Sequence, residues 1–178
     1  LCYTTDGNVP LKESYKGIDI RRIRFNRTLR NKLNALYLVL PFFRWVWRYH
    51  IEKILIRHSI DALHIHDLPL SDVGVKLRRK YGIKLICDQH EYYSNWIVQN
   101  AHLNTLIGKI VKFLSNWKRY ERRYLQQADL VITIEEPLRE AYINQVGIRP
   151  ERLIKVPNTP PQKFAAIPVD QKIVDHYQ

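Results

Sequence analysis

Three short apolar runs recur along the chain, Asp61 to His66, Ile83 to Cys87 and Asp129 to Ile134, and a stretch of helical composition follows each. The first is followed by Leu70 to Tyr81, the second by Leu103 to Gln127, and the third by a helix that Glu136-Pro137 opens. Near-continuous apolar strands alternating with helices restrict the fold severely. Parallel strands need long crossovers, and the crossover helices cover the faces of the sheet they connect. The pattern predicts an α/β, Rossmann-like parallel sheet with helices on both faces. Gly82 and Gly147 stand where left-handed helix ends are needed, and Pro137 suits a first helical turn. Arg152 to Val156 reads as the last strand. Upstream, Leu1 to Thr4 reads as the end of a strand and Gly17 to Phe25 alternates with period two. Asn31 to His58 is helical in composition, with Pro41 as a kink or a new start.

The 178 residues suffice for one domain with a sizeable core, and 46% hydrophobic content excludes wholesale disorder. The longest apolar stretch, Ala35 to Phe43, is far short of the ~20 residues that cross a bilayer. No leader pattern opens the chain. Of the two cysteines, Cys87 lies in an apolar run and reads as a reduced core residue, so a cytoplasmic protein is expected. The chain has no methionine and starts at Leu1, which predicts a piece of a longer protein. Residues 157–168, PNTPPQKFAAIP, carry four prolines and read as a linker. The expected division is therefore a domain over 1–156, then a linker and the start of a second domain over 157–178.

The net charge of +12 is uneven. Residues 21–58 hold ten Lys or Arg against Glu52 alone, a balance of +9. Such asymmetry suggests a polyanionic partner: nucleic acid, an anionic membrane surface or phosphorylated ligands. Within this region FFRWVWRY, residues 42–49, places Phe42, Phe43, Arg44, Trp45, Trp47 and Arg48 side by side. Aromatic rings at headgroup depth with guanidinium groups on lipid phosphates would make an interfacial helix. The competing reading buries Val46, Ile51, Ile54 and Leu55 against the sheet. A basic nucleic-acid-binding module is supported by charge alone, without a reader motif, so no nucleic-acid partner is expected.

Ligands of open parallel sheets bind beyond the carboxyl ends of the strands. Two such ends are polar here, His64-Ile65-His66-Asp67 and Asp88-Gln89-His90-Glu91. They put His66 and His90 at the rim of one cleft, unless they merely cap neighbouring helices. Asp67 and Asp88 would line that cleft, and Tyr92, Tyr93 and Trp96 either stack on a ligand there or pack beneath the loop. His90 and Glu91 begin like a zinc-protease helix, but Ser94 stands where the second histidine must be. His64 and His66 share a strand face, yet spacing places no third ligand, so no metal is expected. Phosphate-cradling glycine loops and nucleophile elbows are also missing from the pattern.

With these features together, the chain resembles the N-terminal domain of a GT-B glycosyltransferase of the family-4 type. The matching segments are DALHIHDLP, GIKLICDQHE, and the long stretch from Glu121 to Pro160 with its Ala-Asp strand and its Asn before the linker. The likeness covers residues 60–160 well and 1–58 loosely. Glu135 stands where the family usually has a Ser after the VIT strand, and the domain's first strand, with its glycine-containing loop, has no counterpart. The resemblance implies one half of a two-domain enzyme, the acceptor-binding half. The full protein would move a sugar from a nucleotide-sugar to a glycan or lipid-linked acceptor, with retention and no other cofactor, and the fragment alone would be inactive. It further implies that His90 faces the interdomain cleft and contacts the donor sugar or orients the acceptor, with Glu91 and Asp88 fixing its tautomer or lining the pocket. A non-catalytic, partner-dependent subunit is the alternative.

Overall fold

The computed structural model describes residues 1–28, 42–95 and 116–159. Strands β1 (Cys2–Thr4), β2 (Lys12–Tyr15) and β3 (Ile18–Arg24) form one sheet in the order β1-β3-β2. Within it β1 runs parallel to β3, and β2 runs antiparallel. Strands β4 (Ala62–His66), β5 (Lys84–Gln89), β6 (Leu130–Thr133) and β7 (Leu153–Lys155) form a second sheet, parallel throughout and in sequence order. The helices are α1 (Phe42–Arg57), α2 (Ser71–Tyr81), α3 (Trp117–Leu125) and α4 (Glu136–Ala141), the last continuing into a π turn, Tyr142–Val146. This is the α/β, Rossmann-like arrangement that the alternating pattern demands. β1 and β4 each end their sheet, and both line the same cavity.

Strand β2 lies outside the sequence expectation. It is exposed along its length and joins β3 through Lys16-Gly17, both at positive φ (49° and 81°). That conformation is the type I′ hairpin turn, whose twist matches that of the flanking strands. Strand β5 is longer than expected, because Asp88 and Gln89 pair with Ile132 and Thr133 instead of opening a loop. The long helix foreseen over 103–127 is described only from Trp117, and the beginning of the 31–58 helix, with Pro41, also lies outside the described residues. So do most of the expected linker and the start of the expected second domain, residues 160–178.

Helix α2 shows how the sequence sets the packing. Its C-cap Gly82 adopts the left-handed conformation (φ 69°), and the Gly82 N–H donates to the Arg78 carbonyl. Gly74 faces the sheet so closely that a Cβ there would lie 2.5 Å from Ile65 Cδ1 and 2.7 Å from Leu85 Cδ1. Leu77, Leu85, Cys87, Val131 and Leu125 are wholly buried in the core that results. Burying each large side chain is worth about 1.5–3 kcal/mol. Arg78 ties α2 to the sheet through two hydrogen bonds to Asp129, at 2.6 and 2.8 Å, while the same carboxylate accepts from the Leu85 N–H. The Arg78 guanidinium accordingly holds the Asp129 carboxyl well below the usual range.

Candidate functional site

Strands β4 and β5 pair with Ile65 opposite Cys87 and His66 opposite Asp88. Side chains alternate across a strand, so Ile65 and Leu85 pack toward Gly74 of α2 while His64, His66 and Asp88 share the opposite face. One oxygen, Asp88 Oδ2, gathers three imidazoles there. His66 Nδ1 lies 3.0 Å from it, and His64 Nε2 and His90 Nε2 lie 3.4 Å from it. The His64 and His66 rings stack at 4.7 Å, and the His90 ring is 5.9 Å from that of His66. On its other side His90 Nδ1 is 3.4 Å from Asn158 Nδ2. An amide that donates to Nδ1 leaves Nε2 as the protonated nitrogen, pointing its N–H at Asp88.

The backbone beneath this cluster is strained. Asp67, just beyond β4, sits at φ 61° and ψ 164°, a region that glycine occupies almost alone. Its N–H donates to the Asp88 carbonyl at 2.8 Å, which extends the β4–β5 pairing and holds the two strand ends together. Burial raises the Glu91 carboxyl above the ordinary range, and the neighbouring Asp67 carboxylate adds to the rise. A cavity of about 350 Å³ opens beside His64, His66 and Asp67, walled on its far side by Leu1, Tyr3 and Trp47. The buried Trp47 Nε1 finds no acceptor among the described residues. A second cavity, about 380 Å³, lies by His58, Ile60 and Ile83 at the amino ends of β4 and β5, away from His64, His66 and His90.

A family model of Glycosyltransferase Family 4 matches residues 2–159, nearly the whole chain. The chain belongs to that family. Two solved structures of sucrose-phosphate synthase from Thermosynechococcus elongatus share its fold. One is 17% identical with a TM-score of 0.53, over 98% of this chain and 82% of that chain. The other is 19% identical with a TM-score of 0.56, over 90% of this chain and 38% of that chain. At these identities the likeness is one of fold, and the present chain spans well under half of the longer synthase. No curated protein matches it.

Within the glycosyltransferase domain the expected site residues divide. His66, Asp67, Asp88, His90 and Glu91 come together at the ends of β4 and β5. His64 and Asn158 join them, although neither was singled out as lining the cleft. His64 was legible from the His-x-His alternation, whereas Asn158 is brought to His90 only by the path of the chain after β7. Among the described residues, the hydrogen-bond partners of the His90 ring are Asp88 and Asn158, with the His66 ring beside it; Glu91 meets Tyr142 through its backbone carbonyl. Tyr92 and Tyr93 pack beneath the loop. The Tyr92 ring meets Tyr142 edge-on and its hydroxyl donates to Gln145, while Tyr93 packs on Trp117, with burial pushing its hydroxyl up to about 12. Trp96 lies outside the described residues.

The loop that carries His90 is anchored by a buried carboxyl. Ser94 Oγ donates to Glu121 Oε2 at 2.6 Å, and the Tyr142 hydroxyl is 3.3 Å from both Glu121 Oε1 and the Glu91 carbonyl oxygen. Burial raises Glu121 to about 7. No spacing rule links Ser94 to Glu121, so sequence reading had no access to this anchor.

The aromatic helix requires a correction. Phe43 and Trp47 are buried, 7% and 6% exposed, and their rings pack edge-on against each other, with Phe25 and Tyr3 beside them. Arg44 turns inward to the buried Asp72 at 3.1 Å. Helical periodicity explains the division, since positions 43, 47 and 51 follow one face. The outward face keeps Phe42, Trp45 and Tyr49 exposed, with Ile56 beyond them, and Arg48 pairs with Glu52 at its edge.

Proposed function

We propose that this domain is the acceptor-binding half of a glycosyltransferase that moves a sugar from a nucleotide-sugar to a glycan or lipid-linked acceptor. The observation that carries the reading is His90. It stands at the carboxyl end of a central parallel strand, with its ring held between Asp88 and Asn158 in a chain of this family. The His90 Nε2–H, which faces Asp88 across 3.4 Å in the free domain, turns to a hydroxyl of the sugar or acceptor when the cleft is occupied. Asp88 fixes the tautomer and Glu91 lines the pocket. The donor nucleotide is held mainly by a second domain. The test is turnover by the intact protein against a panel of nucleotide-sugars. His90→Ala is expected to lower it by about tenfold or more while the folded state persists, and unchanged turnover overturns the assignment.

A second reading, peripheral attachment to an anionic membrane, rests on the exposed stripe of α1. Phe42, Trp45, Tyr49 and Ile56 are outward, and Lys53 Nζ lies 4.2 Å over the Tyr49 ring. No helix among the described residues is long and apolar enough to cross a membrane.

A further inference from the structure

We propose that His64, His66 and Asp88 form a binding site for a divalent transition-metal ion of the zinc class. Spacing in the sequence places only the two histidines on one strand face; the parallel register of β4 and β5 supplies the third group by setting Asp88 opposite His66. His64, His66 and Asp88 each offer a ligand atom, and these atoms lie within 4.8 Å of one another. A tetrahedral ion with bonds of ~2.0–2.1 Å holds its ligand atoms ~3.3 Å apart. The observed separations from Asp88 Oδ2 are 3.4 Å to His64 Nε2 and 3.0 Å to His66 Nδ1. The remaining span closes by turning two half-exposed imidazoles, which nothing in their burial prevents.

Hydrogen bonding alone accounts poorly for the cluster. A carboxylate oxygen carries two lone pairs, yet three imidazole nitrogens converge on this one, His90 Nε2 included at 3.4 Å. A cation among them lets His64 and His66 use their nitrogen lone pairs, and leaves His90 beside the ion as a donor. Two imidazoles and a carboxylate favour a borderline ion over magnesium or calcium, which prefer oxygen ligands. Three protein ligands leave a fourth position for water or a ligand oxygen, the pattern of open metal sites. This inference does not depend on the transferase reading, because it concerns binding by residues already in place.

The probe is Zn²⁺ itself, titrated calorimetrically into the intact protein after treatment with a chelator, with Co²⁺ absorption as a second readout. One saturable equivalent is expected, together with a visible Co²⁺ spectrum of the four-coordinate kind. His64→Ala removes a half-exposed group that the proposed transfer does not use, so its fold is expected to persist by circular dichroism. Its Zn²⁺ affinity should fall by about tenfold or more, as should that of Asp88→Asn. No saturable binding by the wild-type protein overturns the site. Undiminished binding by both variants overturns it equally, since the ion would then be held elsewhere. Loss of sugar transfer with intact Zn²⁺ binding would count against the transferase reading and leave the metal site standing.

Discussion

Glu121 is the residue at which pH and stability meet. It is buried, and burial raises its carboxyl from 4.5 to about 7, against the lowering effect of Ser94, Tyr142 and Lys118. The folded state thus favours the protonated form, binding a proton that the unfolded chain releases near its ordinary value. The resulting stabilisation is complete below about pH 4.5 and is lost as pH rises through about 7. The loss is on the order of 3 kcal/mol. Glu121→Gln keeps a neutral side chain of the same size, so its denaturant midpoint should exceed that of the wild type at pH 8 and approach it at pH 4.5. Parallel profiles for the two proteins would show that Glu121 does not titrate across this window. At this scale the sequence displayed one kind of residue and hid another. Polar groups interrupting an apolar strand, as at His66, Asp88 and His90, stand out because their neighbours are wrong for a core. Glu121 sits on a basic, helix-forming stretch where a glutamate is ordinary, and only the meeting of α3 with the loop after β5 makes it unusual.

The elements were legible where the period of the apolar residues was strong, and their ends were legible where glycine was needed. Helix α2 and the strands β4 to β7 follow that rule, with Gly82 and Gly147 both at positive φ. Strand β2 was not legible, because its Lys12, Glu13 and Ser14 bury nothing and its turn is Lys-Gly instead of the stronger Asn-Gly signal. The last two residues of β5 were hidden as well, since polar side chains suggest a loop until β6 is there to pair with them. Gly74 shows what the helical pattern conceals. In an isolated helix its replacement by alanine would gain about 1 kcal/mol, but here the added methyl meets Ile65 and Leu85 at less than 3 Å. Both are buried, and their terminal methyls must shift to admit the added carbon. Gly74→Ala is therefore expected to destabilise the protein by about 1–3 kcal/mol, measured as a lowered midpoint in urea. A raised midpoint would mean that the core beneath α2 has room to relax.

At the scale of the whole molecule, ion pairing decides which of the 29 Lys and Arg face solvent alone, while the excess of +12 is untouched by it. Arg22, Arg44, Arg48, Arg78 and Lys80 are each committed to a carboxylate, on Glu13, Asp72, Glu52, Asp129 and Glu52 respectively. Such pairing takes Arg22, Arg44 and Arg48 from the basic groups of 21–58 that could meet phosphates, without removing the positive excess. It matters less for attachment to a membrane, where apolar area does part of the work. On α1 the core takes Phe43, Trp47 and Ile51, so the rings left over, Phe42, Trp45 and Tyr49, project together from the opposite side with Trp45 62% exposed. A surface of this kind is costly to leave in water, and Lys53 beside it adds attraction to anionic headgroups. Wild-type protein should sediment with vesicles that contain phosphatidylglycerol at low salt, and less with phosphatidylcholine alone. Replacing Phe42 and Trp45 together by serine should weaken binding by about tenfold, since each removes apolar area from the interface. Both side chains are outside the core, so the melting temperature should change little. Arg44 is unsuited to this test, because reversing its charge would set a second carboxylate against the buried Asp72, which Lys76 and Tyr120 also hold, and so mix destabilisation with detachment. Absence of vesicle binding by the wild-type protein at low salt would exclude the membrane, and the exposed rings would then have to meet another protein surface.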